Sequence, residues 1–229
     1  AGSPISRITS AMKLDLGDGP VITEGGIPLF QAAWMDVFGH CGPIIHLAAD
    51  EALMNIFNSL DHYTTKDRLA HAWAHRHVDA VLAVSPRLAA EARVFGTKHI
   101  KVIHPFPDSW KWDNLMKNEP DLTSNRILAV GSNRSKNNFG ILNKIGKYCE
   151  EDVIFDVVGP ETDELRRTKH VKPHGFVDQE EFLKLFSETK ASILPAVSQP
   201  FPVSTLESMI AGLPPFVTDE TGTSPFIRK

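Results

Sequence analysis

The chain has 229 residues, of which 42% are hydrophobic, and 24 basic residues against 28 acidic ones give it a net charge of −4. That length and composition suffice for one large buried core or two modest ones. The acidic balance and the lack of a basic run argue against a nucleic-acid-binding protein, and every apolar run is too short to cross a membrane.

Strands and helices alternate along the first half of the chain. The predicted strands are 21–23, 43–47, 80–84 and 101–103, and the predicted helices are 29–37, 50–60, 66–75 and 86–95. The last of these helices has clear boundary signals, with Ser85 as N-cap, Pro86 at the first helical position and Gly96 after the end. The first half therefore predicts an α/β domain over residues 1–107.

Residues 108–125 differ in composition, with two Trp and a polar Lys-Asn-Glu-Pro run, and are predicted to link two domains. The alternation resumes beyond them, with strands at 126–130, 154–158, 191–194 and 216–217. Helices are predicted at 138–148, at 179–187 and from Ser204 onward. Continuous apolar strands indicate a parallel sheet that is covered on both faces. Residues 126–229 are thus predicted to form a second α/β domain.

Residues 174–219 are the most informative segment. A strand that Pro195 ends is followed by a loop, a helix that Ser204 is expected to cap, and another strand. Parallel pairing of the two strands places the loop and the helix N-terminus at the carboxyl edge of the sheet, where α/β proteins bind ligands. Backbone N–H groups at a helix N-terminus favour a phosphorylated ligand.

The same segment carries a motif. Gln199 stands eight positions before Glu207, which is followed by Ser-Met-Ile-Ala-Gly-Leu-Pro. This pattern resembles the donor-site signature of retaining GT-B glycosyltransferases, in particular family 4, the glycosyl transferases group 1. Residues 127–131, 157–159 and 79–86 resemble further strand ends of that family, so the similarity extends from about Pro20 onward. It implies a GT-B fold of two Rossmann-like, doubly wound parallel-sheet domains, the first lacking its N-terminal part.

The resemblance implies a retaining hexosyltransferase that uses a UDP- or GDP-linked sugar and needs no metal or other cofactor. Its catalytic set would be Lys136, Gln199 and Glu207. Lys136, aided by Arg134, would neutralise the leaving diphosphate, Glu207 would accept hydrogen bonds from the ribose, and Gln199 would face the donor sugar. The other predicted contacts are largely backbone ones, made by Gly131, Gly175, Phe176, Val177, Val203, Ser204 and Thr205.

Three alternatives remain open. Ser204 and Glu207 also fit a capping box, in which the carboxylate serves only the helix. Gln199 replaces a usual Glu and Pro202 a usual Gly, which allows a catalytically inactive relative that binds nucleotide sugars or a partner. An NAD-dependent Rossmann enzyme is a third alternative, but the chain has no G-x-G-x-x-G after a strand.

A metal site at His71 and His75 is not expected, because the sequence offers no third ligand at useful spacing.

The two cysteines, Cys41 and Cys149, fall in different predicted domains, so no disulfide is expected and the compartment is predicted to be reducing. With no signal-peptide core either, the predicted location is the cytoplasm, including the cytoplasmic face of a membrane as a peripheral protein. The acceptor remains open between a sugar, a lipid-linked molecule and a protein, and no nucleic-acid partner is expected.

Overall fold

A computed structural model describes residues 17–39, 41–50, 52–57, 64–149 and 152–227. The chain divides into two compact units, Ala1–His104 and Pro105–Lys229. Each unit is built around its own parallel sheet.

The sheet of the first unit has four described strands, and all its pairings are parallel. The strands lie in chain order: β1 (Val21–Glu24), β2 (Ile44–Ala48), β3 (Ala80–Ala83) and β4 (Ile100–Val102). The described helices are α1 (Gly26–Val37), α2 (Ala52–Phe57), α3 (Thr65–Ala74) and α4 (Pro86–Val94). Residues 51 and 58–60 of the predicted helix 50–60 lie outside the described residues.

Helix α4 begins as its sequence predicts. The Ser85 hydroxyl accepts a hydrogen bond from the Leu88 N–H at 3.3 Å, and Pro86 opens the helix. Helix α3 begins with a capping box that was not predicted, in which Asp67 Oδ2 accepts a hydrogen bond of 2.6 Å from the Thr64 N–H. A side-chain oxygen thus serves an N–H group at each helix start, as capping requires.

The second unit contains a five-stranded parallel sheet in the order β7-β6-β5-β8-β9. Its strands are β5 (Arg126–Val130), β6 (Ile154–Val158), β7 (Val171–Gly175), β8 (Ala191–Leu194) and β9 (Pro215–Val217). The chain runs outward from β5 through β6 to β7, then returns to the other side of β5 for β8. Such a reversal of strand order creates a crevice at the carboxyl edge of the sheet.

Strand β7 was missed by the sequence prediction because its sequence, Val-Lys-Pro-His-Gly, lacks a continuous apolar run. It is an edge strand among the described strands, and an edge position tolerates Pro173, which cannot donate a ladder hydrogen bond.

Apolar side chains cover the sheet of the second unit on both faces. The helices are α5 (Ser109–Leu115), α6 (Leu142–Tyr148), α7 (Gln179–Ser187), α8 (Val203–Ile210) and α9 (Ser224–Ile227). One buried cluster contains Ala129, Phe139, Leu142, Phe155 and Val157. The other contains Leu115, Leu128, Val158, Leu185, Phe186, Ala211 and Leu213. The expectation of a doubly covered sheet is confirmed.

The segment predicted as a linker, 108–125, lies within the second unit. It contains α5, whose Leu115 is fully buried in an apolar cluster of that unit. The helix predicted at 138–148 also differs, because Asn138 has a φ of 55° and two short 3-10 turns precede α6. A left-handed residue interrupts an α-helix, which accounts for the later start at Leu142.

A buried carboxylate connects three strands of the second sheet. Asp156 in β6 is fully buried, and both of its oxygens accept hydrogen bonds from Arg126 of β5, at 2.7 and 2.9 Å. His174 Nε2 of β7 lies 2.7 Å from Asp156 Oδ1, and the Arg126 guanidinium also pairs with Glu188. Pairing of this kind is what a carboxylate needs in a low-dielectric interior.

Candidate functional site

A cavity of about 340 Å³ opens at the carboxyl ends of β5, β6 and β7. Its lining is largely apolar and comes from the ends of β5 and β6, the residues that follow these three strands, and the starts of α5 and α7. The lining residues are Asp108, Trp110, Lys111, Val130, Gly131, Val158, Gly159, Pro160, Phe176, Val177, Asp178, Gln179 and Phe182. A concave apolar site with a few polar groups is the usual form of a small-molecule pocket.

Two glycines, Gly131 and Gly159, line this cavity with main chain that no side chain covers. A Cβ atom on Gly159 would lie 2.3 Å from the Gly131 carbonyl oxygen, and one on Gly131 would lie 2.9 Å from Asn137 Nδ2. The Gly131 N–H donates to the Val158 carbonyl at 2.9 Å. Only glycine permits so close an approach of two strand ends, and it leaves the main chain accessible to a ligand.

The predicted base contacts, Gly175 to Val177, lie around the same cavity. Gly175 ends β7 with a φ of 73°, and its N–H donates to the Thr162 hydroxyl at 3.0 Å. Phe176 is 84% exposed, and both Phe176 and Val177 line the cavity. An exposed aromatic ring at a cavity wall offers a face on which a planar ligand can stack.

Glu207 lies in α8, and its side chain is 4% exposed. Its Oε1 atom accepts a hydrogen bond of 2.6 Å from the Nζ atom of Lys111, which itself lines the cavity. The carboxylate therefore serves a lysine of another helix rather than the start of α8. The capping-box interpretation of Ser204 and Glu207 is wrong.

The predicted N-cap of α8 is also wrong. The helix begins at Val203 with Pro202 as its N-cap residue, so Ser204 lies within the first turn. Pro202 has a φ of −70°, and proline fits ahead of a helix because it lacks the N–H that an interior position would use. Of the three predicted phosphate donors Val203, Ser204 and Thr205, the last already donates its N–H to the Pro202 carbonyl at 3.1 Å.

Gln199 is tied to the loop that follows β5. Its Nε2 atom donates a hydrogen bond of 2.6 Å to Oδ1 of Asn137, and Asn137 in turn donates to the Ser132 carbonyl at 2.7 Å. Asn137 follows Lys136, whose carbonyl accepts a hydrogen bond of 2.8 Å from the Val197 N–H. Residues 136 and 199, both predicted site positions, therefore lie on two loops that hydrogen bonds connect.

Lys136 and Arg134 do not line the cavity in the part of the chain that the structure describes. Lys136 lies in a short 3-10 helix and is half-buried, whereas Arg134 is exposed. Both precede α6 in the loop at the carboxyl end of β5.

Lys111 is the residue that sequence reasoning missed. A signal was present, because Asp108 stands three positions before Lys111 and its carboxylate accepts the Lys111 N–H at 2.8 Å as an N-cap. The assignment of 108–125 to a linker concealed this helix start. The ammonium group also lies 5.1 Å from the centre of the Phe182 ring, within the range of a cation–π contact.

His46 and His75 of the first unit are buried and lie within hydrogen-bond distance of threonine hydroxyls rather than being arranged for ligand binding. His46 Nδ1 lies 3.0 Å from the Thr23 hydroxyl and His75 Nδ1 lies 3.1 Å from the Thr97 hydroxyl. Burial lowers the pKa of His46 to about 4 and that of His75 to about 3, and it lowers the pKa of His71 as well. Among the described residues, no group of three or more His, Cys, Asp or Glu side chains could hold a metal ion.

Cys41 and Cys149 are both free. No helix in the described ranges is long and apolar enough to cross a membrane.

Comparison with known proteins gives a family match for the second unit. Residues 124–229 match the family model described as glycosyl transferases group 1. No curated protein matches the chain.

Solved structures resemble the chain over nearly its whole length. Alr3699/HepE from Anabaena, crystallised with UDP-glucose, is 17% identical with a TM-score of 0.69, and the match covers 98% of this chain and 65% of that one. Sucrose-phosphate synthase from Thermosynechococcus elongatus is 13% identical with a TM-score of 0.65, over 89% of this chain and 57% of that one. The chain thus spans about 65% of the length of HepE. These matches confirm the predicted fold, which is GT-B, and the chain covers part of it.

Proposed function

We propose that the protein transfers a sugar from a nucleoside-diphosphate sugar to an acceptor hydroxyl, and the match of residues 124–229 to the model of the glycosyl transferases group 1 supports this proposal. We propose that the transfer retains the anomeric configuration and needs no metal. The donor would be a UDP- or GDP-linked hexose. A UDP-linked donor is supported by HepE, whose structure contains UDP-glucose.

The observation that carries the proposal is the position of Glu207 relative to the cavity. Lys111 lines the cavity and also pairs with Glu207 at 2.6 Å, so the carboxylate lies one side chain away from the cavity wall. A nucleobase in the cavity would contact the bare backbone of Gly131 and Gly159 and the ring of Phe176. Its ribose would then reach Glu207, since an ionised carboxylate is a strong acceptor for hydroxyl groups.

The chemistry requires charge stabilisation at the leaving diphosphate. Departure of the nucleoside diphosphate produces an oxocarbenium-like centre and places negative charge on the phosphates. In this proposal Lys136, with Arg134, supplies the cations, and the N-terminus of α8 supplies the positive end of the helix dipole. Gln199 would face the donor sugar, and the acceptor would be a sugar, a lipid-linked molecule or a protein. A cytoplasmic location, including peripheral contact with a membrane, belongs to the same proposal.

One observation favours a second candidate. The Gln199 side-chain amide donates a hydrogen bond to Asn137 at 2.6 Å, which occupies a donor that the sugar would otherwise use. A relative that binds nucleotide sugars without transferring them would tolerate such a contact. The two candidates share the nucleotide site and differ only in turnover.

Isothermal titration calorimetry with UDP, GDP and NAD tests the shared site. We expect binding of one nucleoside diphosphate and none of NAD, and binding of NAD alone would overturn the proposal. Release of sugar from the matching donor, followed by proton NMR at the anomeric position, then separates the candidates. Turnover with retained configuration supports the transferase, whereas nucleotide binding without turnover in the intact protein supports the inactive relative.

A further inference from the structure

Lys111 and Glu207 form an ion pair of unequal burial. The distance from Lys111 Nζ to Glu207 Oε1 is 2.6 Å, and the lysine side chain is 33% exposed whereas the glutamate side chain is 4% exposed. Among the described residues, no other side chain forms an ion pair with this carboxylate. Burying a carboxylate without a cationic partner is strongly disfavoured, so Lys111 provides the compensation that the buried Glu207 side chain needs.

The helix that carries Lys111 is fixed against the helix that carries Glu207. Asp108 caps α5 at one end by accepting the Lys111 N–H at 2.8 Å. At the other end Leu115 is fully buried, and Asn118 Nδ2 donates to the Ala211 carbonyl, just beyond α8, at 3.0 Å. Contacts at both ends of α5 thus fix the position of the Lys111 backbone relative to α8.

The ammonium group of Lys111 also lies over an aromatic ring. Lys111 Nζ lies 5.1 Å from the centre of the Phe182 ring, and both residues line the cavity. A cation positioned over a ring face is attracted by the ring quadrupole, which favours this one orientation of a flexible side chain. Lys111 therefore contacts the cavity, Phe182 and Glu207 from a single position.

The carboxylate retains unused hydrogen-bonding capacity in this arrangement. An ionised carboxylate has about four acceptor sites, and Lys111 occupies one of them on Oε1. The remaining sites can accept hydrogen bonds from a diol such as the 2′- and 3′-hydroxyls of a ribose. The orientation imposed by Lys111 determines where those sites point.

We propose that Lys111 is a positioning residue of the nucleotide site, which holds the Glu207 carboxylate in the orientation in which it accepts hydrogen bonds from the ribose hydroxyls. This inference rests on the proposed function and deepens it. It assigns the recognition of ribose to a pair of side chains, Lys111 and Glu207, rather than to Glu207 alone. It predicts that the lysine acts on ribose preference, which a merely structural ion pair would not do.

The test measures preference for ribose over deoxyribose. Dissociation constants of UDP and GDP and of their 2′-deoxy and 3′-deoxy analogues are measured by calorimetry for the wild type and for Lys111→Met. Hydrogen bonds to charged groups contribute enough for the wild type to prefer the ribose form by roughly 10-fold or more. We expect Lys111→Met to reduce that preference to about threefold or less, and Lys111→Arg to restore most of it.

A matched control variant and a double variant accompany this test. Lys117→Met removes an exposed lysine from the turn after α5, and it should leave the preference unchanged. If Lys111→Met fails to fold, the double variant Lys111→Met/Glu207→Gln removes the buried charge as well. In that background the loss of Lys111 should change ribose preference by less than about twofold relative to Glu207→Gln alone, because coupled residues are not additive.

Two results would overturn the inference. If the wild type binds a nucleoside diphosphate with a ribose preference and Lys111→Met retains that preference, the pair is merely structural and the proposed function stands. If loss of Lys111 in the Glu207→Gln background reduces ribose preference further, the lysine contacts the ligand itself and does not act through Glu207. Failure of the wild type to bind any nucleoside diphosphate would instead overturn the proposed function, and the inference with it.

Discussion

Gln199 and Asn137 join the two loops that the proposed donor site requires. The Gln199 Nε2 atom donates to Asn137 Oδ1 at 2.6 Å, and Asn137 is 2% exposed. The Asn137 Nδ2 atom donates a hydrogen bond of 2.7 Å to the Ser132 carbonyl, which orients the Asn137 Oδ1 atom toward Gln199. The family signature has a glutamate where this chain has Gln199, and the contact gives a local reason for the amide.

The first prediction is that Gln199→Glu, which restores the signature, destabilises the second unit. A carboxylate at this position would face the Asn137 oxygen, so two acceptors would meet without a hydrogen between them. Leaving a buried polar group unsatisfied costs about 1–3 kcal/mol. Urea unfolding should therefore show a loss of about 1–2 kcal/mol in the free energy of unfolding.

Gln179→Glu is the matched control for charge. Gln179 is exposed at the first position of α7, where a negative charge is favourable because of the helix dipole. Its free energy of unfolding should be unchanged or slightly raised. Equal stability of the two variants would show that Asn137 does not discriminate between an amide and a carboxylate.

The second prediction concerns the diphosphate. Lys136→Ala should weaken nucleoside-diphosphate affinity by about 1.5–3 kcal/mol, the range for a hydrogen bond to a charged group. Calorimetric titration with UDP and GDP measures the change, and Lys147→Ala, which removes an exposed lysine from α6, serves as control. An unchanged dissociation constant in Lys136→Ala would remove this lysine from the site.

Local signals in the sequence were sufficient where the chemistry is local. The start of α4 follows from Ser85 and Pro86, which serve the helix directly. The cavity at the carboxyl edge agrees with the alternation of strands and helices, because parallel strands end at one edge. Both required only neighbouring residues or a general rule of topology.

The predictions failed where a distant partner decides the outcome. Ser204 and Glu207 look like a capping box in sequence, yet Glu207 pairs with Lys111, which lies 96 positions earlier in the chain. Segment 108–125 reads as a linker because its polar composition hides a helix with one fully buried residue, Leu115. Strand β7 has an uncharacteristic sequence, and pairing with β6 stabilises it as a strand.

The third prediction concerns the buried network around Asp156. Arg126→Met removes both guanidinium hydrogen bonds to a fully buried carboxylate. Removing one partner of a buried pair costs about 3–5 kcal/mol, because the remaining carboxylate loses its guanidinium and keeps only the contact with His174. The double variant Arg126→Met/Asp156→Leu should recover part of that loss, since it removes the buried charge too.

Urea unfolding of both variants measures the effect, and an exposed ion pair in the same unit provides the control. Lys169 and Asp152 lie 3.0 Å apart with side chains 71% and 62% exposed. Lys169→Met should change the free energy of unfolding by less than about 0.5 kcal/mol, because surface pairs contribute little. A similar loss in Arg126→Met and Lys169→Met would contradict the importance of burial.

The last prediction is that the first unit loses stability in mild acid. Burial lowers the pKa of His46 to about 4 and of His75 to about 3, whereas an unfolded histidine has a pKa of about 6.5. As the pH falls below about 6.5, the unfolded state takes up protons that the folded state does not, so the free energy of unfolding decreases. The decrease continues until the pH reaches the folded pKa values, and each histidine should account for about 1–2 kcal/mol between pH 7 and pH 5.

The variant His46→Gln isolates this contribution, because its amide can keep a hydrogen bond to Thr23 and does not titrate. The difference in the free energy of unfolding between pH 7 and pH 5 should shrink by about 1–2 kcal/mol relative to the wild type. His99→Gln is the control, since the exposed His99 ring is in water in both states. A pH dependence that is equal in the wild type and in His46→Gln would mean that His46 gains no proton on unfolding, and the assignment of the acid sensitivity to buried imidazoles would fail.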